Sequence, residues 1–152
     1  MKVPFVVPFY QNVDVSRTRD DTLPATPSAS RITAPTTMAV RVELRYDDYP
    51  EETNWKLTDT VTSVILFESA SYTVPKALVS TEIPDLVPGR SYSFDVRDAA
   101  HDGICCTYGR GSVKILLLRQ GPEIVEEEAS LLLIHTGNFG TELRATITLP
   151  HA

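Results

Sequence analysis

Residues 94–113 read FDVRDAAHDGICCTYGRGSV, and this stretch decides the fold class. Phe94 and Val96 alternate with Asp95 and Arg97, then the alternation stops at Asp98 and resumes at Ser112 and Val113. Apolar residues at every second position describe a strand with one buried face. Between the two strands stand Asp98, Asp102-Gly103, the adjacent pair Cys105-Cys106 and the glycine turn Gly109-Arg110-Gly111. Gly and Asp at this density break the strand and build a loop.

The same period of two extends outward in both directions. Val40, Val42, Leu44 and Tyr46 alternate with Arg41, Glu43 and Arg45, and Leu143, Ala145, Ile147 and Leu149 alternate with polar residues near the end of the chain. Trp55 with Leu57, the run from Val61 to Phe67, and Val113, Ile115 and Leu117 give further strands. Trp55 alternates with Leu57, which places it in the core rather than on a sugar-stacking surface. Turn signals at residues 87–90 (VPGR) and 137–140 (GNFG) separate these segments. Only residues 124–130, with Glu126 to Glu128, suggest a helical turn. The pattern predicts an all-β protein: an antiparallel β-sandwich of jelly-roll or C2-like type over residues 38–152.

Residues 1–37 differ in kind. They hold Pro4, Pro8, Pro24, Pro27 and Pro35, many Ser and Thr, and no Gly. Such a tract favours extended, polyproline-like backbone and cannot bury a core of its own, so an extended N-terminal arm is expected. Pro4 and Pro8 interrupt the only early apolar run, which argues against a signal peptide. Val3, Phe5, Val6, Val7, Phe9 and Tyr10 gather at the far end of the arm, where a purely solubilising tail would not place them. They are the expected partner-binding residues, with residues 13–37 spanning a gap.

The chain carries a net charge of −6, and four basic against three acidic residues leave the arm at +1, so the body carries −7. An acidic body without a basic stripe repels phosphate backbones and argues against nucleic acid as a partner. The apolar runs are far too short to span a bilayer.

Asp47, Asp48, Asp98 and Asp102 are the candidate metal ligands. If residues 47–48 and 98–103 meet at one end of the sandwich, four carboxylates converge, and a hard divalent cation such as calcium relieves their repulsion. In the competing reading the Asp side chains cap their own turns. The spacing is not that of an EF-hand. Cys105 and Cys106 are expected as free thiols, because adjacent Cα atoms about 3.8 Å apart lie below the usual disulfide span of about 4.4 Å; the alternative is a strained vicinal bridge between them. Free thiols suit a reducing compartment. A zinc site from His101, Cys105 and Cys106, or a Cys105–His101 nucleophile pair, has little support in this spacing. No catalytic residues are expected.

The pattern F-x-V-x-D-x-x-x-D-G-I-C-C-x-Y-G-x-G resembles a module found in secreted bacterial and algal proteins of mostly unknown function. That module also carries an upstream acidic-Y-P-x-E-x-x-W-x-L element, matched here by Asp47, Asp48, Tyr49, Pro50, Glu52, Trp55 and Leu57. The resemblance covers roughly residues 38–150. His101 stands where that module usually has Gly, Val113 replaces an aromatic residue, and further cysteines are missing. Two functional expectations follow. In the first, the chain is a non-catalytic interaction or stabilising subunit of a larger protein assembly, docked through its arm. The resemblance to algal proteins extends this to an accessory subunit of an algal photosynthetic complex, peripheral to a membrane and organellar (plastid) rather than secreted. The alternative is a calcium-dependent glycan- or surface-binding module of a secreted protein, which exposed aromatics would have favoured.

Overall fold

A computed structural model describes residues 37–118 and 129–152. The expected arm with its anchors Val3, Phe5, Val6, Phe9 and Tyr10 lies, except for Thr37, outside the described residues, as do residues 124–128 of the expected helical turn.

Ten strands follow one another: β1 (Met38–Arg45), β2 (Thr53–Asp59), β3 (Ile65–Glu68), β4 (Leu78–Leu86), β5 (Ser91–Asp98), β6 (Cys105–Cys106), β7 (Gly109–Arg110), β8 (Ser112–Leu118), β9 (Ser130–His135) and β10 (Glu142–Thr148). A 3-10 turn, Pro50–Glu52, leads into β2. One sheet has the order β4-β1-β8-β9, the other β10-β5-β2-β3, and β6-β7 forms a small hairpin. All pairings are antiparallel. The expected all-β antiparallel sandwich is therefore what the chain forms. Within β1 to β4 the last strand returns beside the first while β2 and β3 pair across the sandwich, and β5, β8, β9 and β10 repeat this arrangement. The sandwich thus holds two such Greek-key arrangements in eight strands.

One hydrophobic cluster joins the sheets. Val40, Val42, Leu44, Val113 and Ile115 face Leu57, Phe94, Val96, Tyr92 and Ile147. Trp55 is buried, stacked 4.7 Å from Phe67 and tilted against Phe94. Alternation in the sequence thus marks the inner faces of β1, β2, β5 and β8.

Three segments depart from expectation, one being β9, which was not expected and begins at Ser130, the last residue of the expected helical turn over 124–130. The run from Val61 to Phe67 pairs as a strand only over Ile65–Glu68, because Asp59 accepts hydrogen bonds from the Val61 and Thr62 N–H groups and folds residues 59–63 into a turn. Strand β4 was not expected. It lies at a sheet edge, where Pro84 is tolerated and Asp85 takes a positive φ of 61°, and its outer residues are largely exposed.

Two connections cross between the sheets at the same end. Arg45, the last residue of β1, pairs with Ser112, the first of β8. Thr53, the first residue of β2, pairs with Asp98, the last of β5. Residues 46–52 and 99–111 must therefore run over one end of the sandwich, side by side.

Candidate metal centre at the loop end

Asp98 is the innermost member of the site. It continues the inward-facing series Tyr92, Phe94 and Val96 and is 3 % exposed. Its Oδ2 accepts hydrogen bonds from the N–H groups of Asp102 (2.9 Å) and Gly103 (3.1 Å). That pair of bonds folds residues 98–103 back so that the Asp102 side chain returns toward Asp98. Gly103 has φ +73°, and a Cβ there would lie 2.5 Å from the Gly137 carbonyl oxygen, so the position admits only glycine.

The third member comes from the other connection. Tyr49 and Pro50 open the 3-10 turn, Glu52 closes it, and the Glu52 carbonyl accepts the Ala99 N–H at 2.9 Å. This bond ties the two crossings together. One carboxylate oxygen each from Glu52, Asp98 and Asp102 then lies within 4.8 Å of the others.

Asp47 lies beside this group and Asp48 turns away from it. Asp47 is buried, with its Oδ1 accepting the Tyr49 N–H at 2.9 Å. Burial raises its pKa above the ordinary 3.8; the Tyr49 hydrogen bond opposes this, and the charges of Asp102, Asp98 and Asp48 add to it. The Glu52 carboxyl is raised above 4.5, first by desolvation and then by Asp98, Asp102, Glu51 and Asp47. Asp48 instead forms an ion pair with Lys76, 3.0 Å away. Of the four aspartates expected to converge, Asp98 and Asp102 share the centre, Asp47 borders it and Asp48 is engaged elsewhere.

Glu52 was missed. Its signal was present in the Tyr49-Pro50-Glu51-Glu52 element, but only the 3-10 turn reveals which of the two glutamates points back to Asp98. Thr53 was missed as well. Its residue is 2 % exposed, it sits directly opposite Asp98 on the inner face of the sheet, and its Oγ1, like the hydroxyls of Tyr46 and Thr58, has no hydrogen-bond partner among the described residues. A buried hydroxyl without a partner costs stability, and nearly all such groups in folded proteins are satisfied.

The β6–β7 hairpin closes the site on the side of Asp47. The Asp48 N–H donates to the Tyr108 carbonyl at 2.8 Å, and Gly109, at φ +142°, packs so closely that a Cβ would stand 3.0 Å from Asp47 Cα. Cys105 and Cys106, expected as free thiols, are bonded to each other. The spacing argument fails here because the bridge forms at a Cα–Cα separation of 3.1 Å, below the span of ordinary disulfides. The argument from free thiols to a reducing compartment therefore falls away, and neither sulfur is available as a zinc ligand or nucleophile. His101 has φ +69°, the left-handed conformation that favours glycine, and its Nδ1 lies 3.1 Å from Thr141 Oγ1.

Comparison of the chain with protein-family models, with curated proteins and with solved structures finds no match. What the fold and the site define is a class: an all-β antiparallel sandwich with an acidic, glycine-shaped loop end. Among the described residues, no helix is long and apolar enough to cross a membrane.

Proposed function

We propose that the chain is a non-catalytic binding module whose loop end takes up calcium. The observation that carries this is the grouping of Glu52, Asp98 and Asp102 oxygens within 4.8 Å beside the buried, unpartnered Thr53 hydroxyl. Three carboxylates drawn together from two chain segments repel one another, and a divalent cation turns that repulsion into attraction. All donors are oxygens, which excludes a preference for soft metals. A centre built partly from exposed side chains suits the flexible coordination of calcium better than the rigid octahedron of magnesium. Equilibrium dialysis against calcium tests this: one ion per chain in the wild type and none in a Glu52→Gln, Asp102→Asn variant supports it. Equal uptake by both proteins, or uptake by neither, refutes it.

A second reading is the interaction subunit. Val61, Val64, Ile65 and Leu66 are exposed together at the β2–β3 turn and on strand β3, whose outer edge has no neighbouring strand among the described residues. An apolar sheet edge of this kind favours pairing with another polypeptide. The docking arm of this reading, residues 1–12 with 13–37 as spacer, lies outside the described residues. The core runs from Val40 to Leu149. Deleting residues 1–37 is therefore expected to leave the melting temperature nearly unchanged while releasing the protein from its native complex. A truncated protein that still assembles removes this reading.

A further inference from the structure

Tyr49 and Tyr108 are 44 % and 46 % exposed, and among the described residues no other Tyr, Phe or Trp is exposed. They come from the two crossings that build the acidic centre, and their rings meet edge to face with centroids 5.3 Å apart. Both are fixed by backbone bonds to residues of the crossing that carries Asp47 and Glu52. The Tyr49 carbonyl accepts the Glu52 N–H at 3.1 Å, the Tyr49 N–H donates to Asp47 Oδ1 at 2.9 Å, and the Tyr108 carbonyl accepts the Asp48 N–H at 2.8 Å. The buried tyrosines Tyr46 and Tyr92 show that the sandwich has room for such rings in its core. Here two are held outside, on the crossings that carry the carboxylates.

We infer that Tyr49, Tyr108 and the cation held by Glu52, Asp98 and Asp102 together form a binding site for a neutral, polyhydroxylated sugar of a glycan. This rests on the calcium reading and names the ligand class of that site. Calcium takes six to eight oxygen ligands, waters among them. Glu52, Asp98 and Asp102 bring three carboxylates, fewer than those ligands, so positions remain open to other oxygens. Sugar hydroxyls are oxygen donors that replace water without adding charge, while the C–H faces of a pyranose pack on tyrosine rings whose hydroxyls stay in water.

Charge selects against the alternatives. Asp47, Glu51, Glu52, Asp98 and Asp102 surround the site, Asp48 and Lys76 neutralise each other, and one divalent ion offsets only two of the remaining five carboxylates. The excess negative charge repels sulfated or uronate glycans and acidic peptides. A neutral ligand meets no such barrier.

The test is affinity electrophoresis of the full chain through gels holding mannan, laminarin or xylan as neutral probes and dextran sulfate as the anionic one, in calcium and in chelator. The expected result is retardation by at least one neutral polysaccharide in calcium, abolished by chelator, with no retardation by dextran sulfate. Tyr108→Ala, at a surface position, and the double variant Tyr49→Ala, Tyr108→Ala are expected to weaken binding at least tenfold while keeping the calcium-induced rise in melting temperature. Tyr108→Phe is expected to retain binding. If calcium raises the melting temperature but no neutral polysaccharide retards the protein, or if the alanine variants bind undiminished, the sugar site is wrong and the calcium reading stands. If dextran sulfate alone is bound, the charge argument fails. If calcium has no effect on the melt, both readings fall together.

Discussion

Replacing Asp98 by Asn separates the charge of the site from its geometry. Both hydrogen bonds to Asp98 converge on one oxygen, Oδ2. An amide keeps an oxygen able to accept both N–H groups, so the loop over residues 98–103 should hold its shape. Two energetic terms then oppose each other in the absence of metal. Removing the charge relieves repulsion with Glu52 and Asp102, whose oxygens lie within 4.8 Å. At that distance one pair of charges is worth about 0.9 kcal/mol in a water-like medium and about 3.5 kcal/mol at an effective dielectric of about 20. Since Glu52 and Asp102 reach solvent, the lower figure applies to the Asp98–Asp102 pair, and solvent screens the Asp98–Glu52 pair further. Against this, two hydrogen bonds to a charged acceptor become bonds to a neutral one, a loss of about 1 kcal/mol each. In chelator the variant should therefore match the wild type to within about 1 kcal/mol. Calcium at about a hundred times Kd should stabilise the wild type by about 2.7 kcal/mol. For a chain of this length that corresponds to a rise of about 5–10 °C. The variant should lose most of this rise. Asp98→Ala is the geometric control, because it strands two N–H donors and should destabilise by about 2–6 kcal/mol with or without metal. Thermal melts by circular dichroism, in calcium and in chelator, measure all three proteins. An Asp98→Asn variant that keeps the full calcium response refutes the assignment of Asp98 as a ligand.

Three further outcomes are expected. Thr53→Val removes the unpartnered hydroxyl with little change of volume; in chelator it should stabilise by about 1 kcal/mol, and in calcium it should weaken ion affinity, both measurable by melts and dialysis. Asp47 and Glu52 have folded pKa values raised above 3.8 and 4.5, so the native state binds more protons than the unfolded one above those values. In chelator, lowering the pH from neutrality toward that range should therefore raise the melting temperature, and in calcium the gain should shrink because protons compete with the ion; a chelated protein that only loses stability over this window contradicts the clustered carboxylates. In denaturant without reductant, a thiol reagent should label neither Cys105 nor Cys106, and after reduction it should label both, as read by mass spectrometry. Labelling of either before reduction would restore the free-thiol expectation.

Much of the fold was legible because burial follows a period of two wherever a strand lies inside a sheet. Strands β1, β5 and β8 each have neighbours on both sides, and their alternation is clean. The failures fall at sheet edges. Strand β4 hides behind Pro84 and a left-handed Asp85, and the apolar run from Val61 to Phe67 overstates β3, since its first half is a turn governed by Asp59. The site was half legible. Clustered Asp and Gly announced a loop, and the two quoted elements about fifty residues apart do come together, through Thr53 pairing with Asp98. The choice of Glu52 over Asp48 was not legible, because it depends on a 3-10 turn and on Lys76, which lies across a further strand connection. The bond between the cysteines was not legible, because spacing limits taken from ordinary disulfides do not describe adjacent residues.

The opposite end of the same two strands provides an internal comparison. Asp59 closes β2 on the inner face, as Thr53 opens it, and pairs across to Tyr92 as Thr53 pairs to Asp98. Asp59 and Asp98 are equally well buried, at 5 % and 3 % exposed. Each caps a turn through two backbone N–H groups. Up to this point both are structural turn-capping aspartates. They part in their surroundings. Arg90 donates to Asp59 Oδ2 at 2.7 Å. Burial alone would raise the Asp59 carboxyl, but Arg90 and the N–H groups of Val61 and Thr62 outweigh it and hold the group below its ordinary value. Around Asp98 the sequence places Glu52, Asp102 and Asp47, and the carboxyls of Glu52 and Asp47 are pushed up instead of down. A capped turn needs no such gathering of like charge, since one arginine suffices at the other end. Beside it stands a threonine hydroxyl with no partner. A cation among these groups would answer the excess charge and supply the hydroxyl with a partner at once, which capping alone does not.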